Sequence, residues 1–344
     1  MDIDLKLHSE TPKPPPRPED AHKGTFGTVI VVGGSETMIG APALAARGAL
    51  RAGVGLVKIA MPGRWLPFAL TVEPSATGVP LPVAPEQMVG AIEKADPKRQ
   101  AVLAIGPGLG TGEAQGELLM ALLSQGRRVV LDADAITLLA QRNRPPGNPA
   151  PLVMTPHPKE FARLSESLGL SLDPFDPEYR PEAAQELARR CRCVVLLKGK
   201  HTVVTDGDSV YINTSGNPAL ATAGSGDVLT GVIGALMALG MNALDAASLG
   251  AYAHGAAADR WAEKRGPSGL LARELADLVA GALYELSNPE ANAARDASRG
   301  GASATASTSA AGVLADEPGD DLEAAPTSPP PGSHPEPMTD PFAP

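Results

Sequence analysis

The chain has 344 residues and a formal charge of −10 at neutral pH, but nine Asp or Glu against two Arg fall between Asn288 and Pro344, leaving −3 on Met1 to Ser287. That final stretch, 288–344, has ten prolines and one aromatic, Phe342, too little apolar matter to bury a core, and is expected to be a disordered acidic tail. The near-neutral body lacks the basic face a phosphate backbone needs, no apolar run reaches the roughly 18 residues of a membrane span, and MDIDLKLHSE has acid where a signal peptide needs base, so a cytoplasmic protein with neither nucleic acid nor membrane as partner is expected.

A leader over 1–21, proline-rich from Thr11 to Pro18, reads as an extended lead-in to a body over 22–287. Short Val/Ile-rich runs follow at Thr28 to Val32, Val54 to Ala60, Ala101 to Ile105, Arg127 to Leu131, Leu152 to Met154 and Cys193 to Leu197. Ala/Leu-rich helical stretches separate them, among them Ala41 to Ala52, Glu113 to Ser124 and Pro181 to Arg190. Runs that are apolar throughout, alternating with helices, predict a mostly parallel sheet covered on both faces, hence a three-layer α/β/α domain. Cys191 and Cys193 are too close in sequence to staple a fold and read as reduced core thiols. Thr202 to Thr205 and Ser209 to Asn213 flank Asp206-Gly207-Asp208, which predicts a hairpin. Three helical stretches close the body, at Asp227 to Leu239, Leu244 to Lys264 and Leu270 to Leu286.

The strongest local feature is Ala223-Gly224-Ser225-Gly226-Asp227 at the start of a helix. Glycines let successive amides point into one concavity, and the helix N-terminus adds partial positive charge, so Gly224, Ser225 and Gly226 form a candidate phosphate cradle. Asp227 fits a helix cap as well as a functional carboxylate. Two further glycine-rich turns, Gly33 to Ala41 and Gly106-Pro107-Gly108-Leu109-Gly110, follow strand runs and are expected at the same sheet edge. Thr155-Pro156-His157-Pro158 begins where another strand ends; His157, held between prolines, fits a ligand contact or a solvated loop. The lysines of Lys198-Gly199-Lys200-His201-Thr202 could meet phosphate, and Asp132 and Asp134 could sit near a metal or a ribose, or cap a helix. His254 and Asp259 have no partner pattern and read as structural, and nothing suggests a zinc cluster or a serine nucleophile elbow.

Together these segments resemble the ADP-dependent NAD(P)H-hydrate dehydratases, a branch of the ribokinase-like superfamily. The resemblance runs from His22 to about Asp259, through HKGTFGTVIVVGG, AIGPGLGT, VVLDADAIT, TPHPKEFARL, LLKGKHTVV and GNPALATAGSGDVLTG. It implies that the S-epimer of hydrated NADH or NADPH (NADHX, NADPHX) is returned to the normal cofactor while ADP, the co-substrate, becomes AMP and phosphate with Mg²⁺ assisting. Asp227 is then the catalytic base; Lys198, Gly199, Lys200, His201, Thr202 and Gly226 bind the nucleotide; and Ala41, Gly108, His157 and Asp227 contact the hydrated cofactor. The resemblance also implies a homo-oligomer, commonly a tetramer. The 21 residues of leader cannot encode the epimerase domain many bacterial relatives carry, which implies a stand-alone dehydratase working beside a separate epimerase. Lys159 stands where many relatives have Gly. A hydroxyl kinase of the same superfamily using ATP is the alternative, and a non-catalytic nucleotide-binding protein a third.

Overall fold

The computed structural model describes residues 6–7 and 10–288. All but the first residue of the expected acidic tail therefore lies outside the described residues. Among the described residues ten strands form one sheet: β1 (Lys6–Leu7), β2 (Thr28–Val32), β3 (Leu56–Pro62), β4 (Thr77–Leu81), β5 (Val102–Ile105), β6 (Val129–Leu131), β7 (Leu152–Met154), β8 (Val194–Leu197), β9 (Val203–Thr205) and β10 (Ser209–Ile212). Their spatial order is β1-β10-β9-β8-β7-β6-β5-β2-β3-β4. Every pairing is parallel except those of β9, which runs against both β8 and β10. Two reversals restore the direction, so β10 ends at the same edge as β2 and β5 to β8. The hairpin turns as expected, with Gly207 at φ +101 and Asp206 Oδ1 accepting the amides of Asp208 and Ser209.

Ten α-helices among the described residues connect and cover the strands: α1 (Gly40–Arg51), α2 (Leu66–Val72), α3 (Pro85–Ala95), α4 (Glu113–Leu123), α5 (Asp134–Gln141), α6 (Pro158–Ser167), α7 (Arg180–Cys191), α8 (Ser225–Ala238), α9 (Ala243–Arg265) and α10 (Ala272–Ser287). Side chains alternate across a strand, and the core divides accordingly. Val29, Val31, Ile59, Ala104, Val130 and Leu196 pack under α1, α2, α8, α9 and α10. Ile30, Val32, Leu103, Ile105, Leu131 and Leu197 pack under α3 to α7. Both faces are buried, which is why the strands read as unbroken apolar runs. This is the expected three-layer α/β/α arrangement.

Helices α1 and α8 approach through small residues. A methyl group on Gly231 would stand 1.8 Å from Ala45 O, and one on Gly48 would stand 2.4 Å from Val228 O. That contact fixes the start of α8 relative to the start of α1. The leader is tied to the body as well: Arg17 stacks on the Phe26 ring and donates to Gly53 O, and Thr11 Oγ1 meets Tyr211 Oη. Cys191 and Cys193 are free and buried.

Candidate active site

The chain runs outward from β2 to β3 and β4 on one side and from β5 to β8 on the other, so strand order reverses between β2 and β5. Ligands of open α/β sheets bind beyond the strand C-termini at such a reversal. Here the first two glycine turns meet. Gly34 N donates to Pro107 O at 2.9 Å. Gly108, at φ +62, leaves no room for a side chain: a methyl there would lie 2.7 Å from Met38 Cβ and 3.2 Å from Ala41 Cβ. Ala41 and Gly108, assigned to one ligand by resemblance, are thus neighbours. Asp134 Oδ2 accepts the Gly110 amide at 2.7 Å and so braces this turn. It is the first residue of α5 and does not cap it; the residue before, Ala133, sits at φ 50 without a side-chain cap.

The next three strands deliver a charged cluster to the same edge. Asp132, just past β6, is almost fully buried; its Oδ1 accepts Thr155 Oγ1 at 2.7 Å and Lys198 Nζ at 2.8 Å. Lys198, just past β8, lies 3.9 Å from Glu160 Oε2 as well. Burial works against the ammonium, but Asp132, Glu160 and Asp227 outweigh it and raise its pKa. Glu160 is buried, and its carboxyl titrates above its ordinary value through desolvation, opposed by Lys198. It also ties down His157, accepting that residue's amide at 2.8 Å. His157 turns out to begin a helix: Nδ1 accepts the amides of Lys159 and Glu160, which makes it the N-cap of α6. Burial, with Lys198 adding to it, lowers its pKa. Nδ1 as acceptor leaves Nε2 to carry the proton, on a side chain 45% exposed.

The third glycine turn closes the group. Gly224, at φ +87, is the N-cap of α8, so no side chain caps this helix. Asp227 sits in its first turn, half-buried. Desolvation pushes its carboxyl up to about 7; Asp132 and Asp134 push the same way and Lys198 opposes them. A methyl on Gly226 would stand 3.4 Å from Lys198 Nζ and 3.7 Å from Asp132 Oδ2, so the bare backbone of Gly226 faces the ion pair. The Ser225 amide donates to Thr222 O at 3.3 Å, whereas those of Gly226 and Asp227 have no intrahelical carbonyl to bond and are available to an anion. A carboxylate near neutrality beside such amides and a lysine can take a proton from a hydroxyl while a phosphoryl group is held.

A cavity of about 620 Å³ opens beside this turn. Lys198, Gly199, Lys200, His201, Thr202 and Gly226, the six expected nucleotide contacts, all line it, as does Ser225. Of the rest of its wall, Gly216, Asn217, Pro218, Leu220, Ala221 and Leu229 fall in the segment GNPALATAGSGDVLTG but were given no role, and Asn213, Thr214, Ser215 and Ala251 carry no motif. His254, read from the sequence as structural, also lines it. Asp259 is structural as expected: it accepts Gly216 N and Asn217 Nδ2, each at 2.8 Å, and so holds the 213–218 segment.

A family model described as NAD(P)H-hydrate dehydratase matches residues 29–280. The chain belongs to that family. An ADP-dependent (S)-NAD(P)H-hydrate dehydratase from Neisseria meningitidis is 43% identical over 270 residues, which cover 76% of this chain and 86% of that one. The crystal structure of the ADP/ATP-dependent NAD(P)H-hydrate dehydratase from Bacillus subtilis, co-crystallized with ATP/Mg²⁺, superposes with a TM-score of 0.66 at 32% identity, over 79% of this chain and 94% of that one. A ribokinase-like superfamily protein from Enterococcus faecalis gives 0.68 at 25% identity, over 79% and 92%. The fold of this dehydratase-family chain is thus ribokinase-like. Bifunctional NAD(P)H-hydrate repair enzymes match too, and the chain spans about half their length.

Proposed function

We propose that this chain is an ADP-dependent (S)-NAD(P)H-hydrate dehydratase, a carbon–oxygen lyase of metabolite repair. The observation that carries the reading is Asp227, a carboxyl held near pH 7 at a glycine-rich helix start, where Ser225 and Gly226 form part of a cavity wall completed by Lys198 to Thr202. ADP occupies that cavity, and the hydrated nicotinamide ring lies toward Ala41, Gly108 and His157.

Hydroxide is a poor leaving group because the pKa of water is about 15.7, whereas a phosphate ester ionises again near ~6. Asp227 takes the proton of the C6 hydroxyl; the oxygen attacks the β-phosphorus of ADP and AMP departs. The ring nitrogen then expels phosphate from C6, and loss of the C5 proton restores the double bond. The Gly226 and Asp227 amides of α8 and the Lys198 ammonium hold the charge of the moving phosphoryl group, a reaction that needs positioning and charge neutralisation above all. Among the described residues no group of three acidic, His or Cys side chains is set to hold a metal ion by itself. Mg²⁺ arriving on nucleotide phosphates needs only one or two carboxylates, and Asp132 and Glu160, beside Lys198, fit that role. The ion would neutralise phosphate charge.

Purified protein incubated with hydrated NADH and either ADP or ATP should restore the reduced nicotinamide absorbance with at least one of them. No recovery with either nucleotide overturns the reading. Since one epimer is the substrate, an epimerase activity is proposed as functional partner. A homotetramer, implied by the resemblance, and a cytoplasmic location, expected from the sequence, are proposed with it; light scattering after size exclusion tests the former. No described helix is long and apolar enough to cross a membrane.

A further inference from the structure

His254 lies on α9, 29 residues from the turn it touches, and its Nε2 is 2.9 Å from Ser225 O. The ring is buried, 7% exposed. A carbonyl can only accept, so Nε2 carries the proton and donates it. The C=O of Ser225 and the N–H of Gly226 belong to one planar trans peptide unit and point in opposite directions. Whatever fixes the Ser225 carbonyl therefore fixes the direction of the Gly226 N–H. That amide is in the first turn of α8 and has no intrahelical acceptor, and the bare Cα beside it faces the Lys198–Asp132 pair.

We infer that His254 is a positioning residue of the reaction: by clamping the Ser225 carbonyl it aims the Gly226 amide at the phosphoryl group in transfer. Two further bonds immobilise the same turn. Ser225 Oγ donates to Leu220 O at 2.9 Å and Thr230 Oγ1 donates to Gly226 O at 3.0 Å. Neither acts on the carbonyl of the Ser225–Gly226 peptide; there the regular helix bond from the Leu229 amide is supplemented, among the described residues, by the His254 side chain, which bonds the same oxygen from outside the helix. The surroundings keep the imidazole in that role. Burial lowers its pKa to about 4, partly offset by the Ser225 bond and reinforced by Lys198, so the ring stays neutral, with one donor nitrogen, where the enzyme works. Helix α9 is in turn locked against the opposite cavity wall. A methyl on Gly255 would stand 2.2 Å from Ser215 Oγ, and Ser215 Oγ donates to Tyr252 O at 2.9 Å. One helix thus registers the phosphate cradle against the 213–218 segment.

The inference rests on the proposed dehydratase reading. Its test compares His254→Leu, which removes the donor, His254→Asn, whose donor falls short, and His254→Gln, whose amide nitrogen reaches the place of Nε2. With hydrated NADH and ADP as substrates, Leu and Asn should lower kcat about 10- to 100-fold with KM for ADP nearly unchanged, the size of effect expected from a misaimed group, and Gln should recover most of it. Wild-type kcat in His254→Leu or His254→Asn overturns the inference, as does a Gln variant as slow as Asn. Should the Leu variant not fold, the Asn and Gln pair decides alone. A wild-type protein inactive on hydrated NADH with either nucleotide would instead overturn the dehydratase reading itself.

Discussion

Replacing Asp227 by Asn tests the base assignment through two readouts that must agree. The carboxyl is lifted from 3.8 to about 7, first by desolvation and then by Asp132. A base must be ionised to work, so kcat/KM of the wild type should climb with pH through about 7 and level off above it. Asn cannot accept the proton, and the turnover that remains should be lower by about 10²- to 10⁴-fold with no such limb. Stability should move in the opposite sense. Between 3.8 and about 7 the folded protein keeps a proton that the unfolded chain has released, so the contribution of Asp227 to stability is full below 3.8 and is lost as pH rises through 7. At 1.36 kcal/mol per pH decade the interval amounts to at most about 4 kcal/mol, reduced by solvent reaching the half-buried group. The Asn variant does not titrate there. Urea unfolding of both proteins at pH 4, 6 and 8 should therefore show the variant gaining on the wild type as pH rises. A constant difference, or an Asn variant with wild-type turnover, would refute the argument that this environment holds the carboxyl near neutrality for use as a base.

Asp132→Asn removes the charge that raises Asp227 and the partner that holds Lys198, so kcat should fall about 10- to 100-fold and the activity limb should shift to lower pH; a pH-rate profile checks both. Gly108→Ala places a methyl 2.7 Å from Met38 Cβ at a φ of +62. It should raise KM for the hydrated cofactor more than KM for ADP, at a stability cost of about 1–3 kcal/mol. Gly231→Ala drives a methyl to 1.8 Å from Ala45 O in the α1–α8 contact. It should lower the urea midpoint by the equivalent of about 1–3 kcal/mol or more while leaving the m-value unchanged.

The sheet was legible because burial on both faces writes strands as apolar runs. β2 and β7 fall where the composition puts them, and β5, β6 and β8 within two residues. β4 escaped for the converse reason: Thr77–Leu81 contains Gly78 and Pro80, tolerable only at an edge, and β4 is the edge strand beyond β3. Helix α6 was hidden by its own start, since a histidine between prolines looks like a loop until its Nδ1 is seen taking two helix amides. Asp134, which could have met a metal or a ribose or capped a helix, braces a glycine turn, because a carboxylate in a first helical turn is free to bond whichever amide lies nearest in space.

The site divides along the same line. Backbone-shaped parts, the three glycine turns and the Lys198 to Thr202 segment, are legible because they need particular residue types at fixed local spacing. Parts that act across the sheet are not: Lys198 and Asp132 are 66 positions apart, Asp259 and Gly216 are 43 apart, and His254 and Ser225 are 29 apart. A lone histidine at helical spacing carries no sign of which carbonyl it will meet. Topology supplies that information, because β10 is turned back twice to end at the active edge and the segment after it must cross to α8 in front of α9. The residue proposed to aim the chemistry therefore lies on a helix that closes the fold, while those proposed to perform it stand at the strand ends and on the glycine turns.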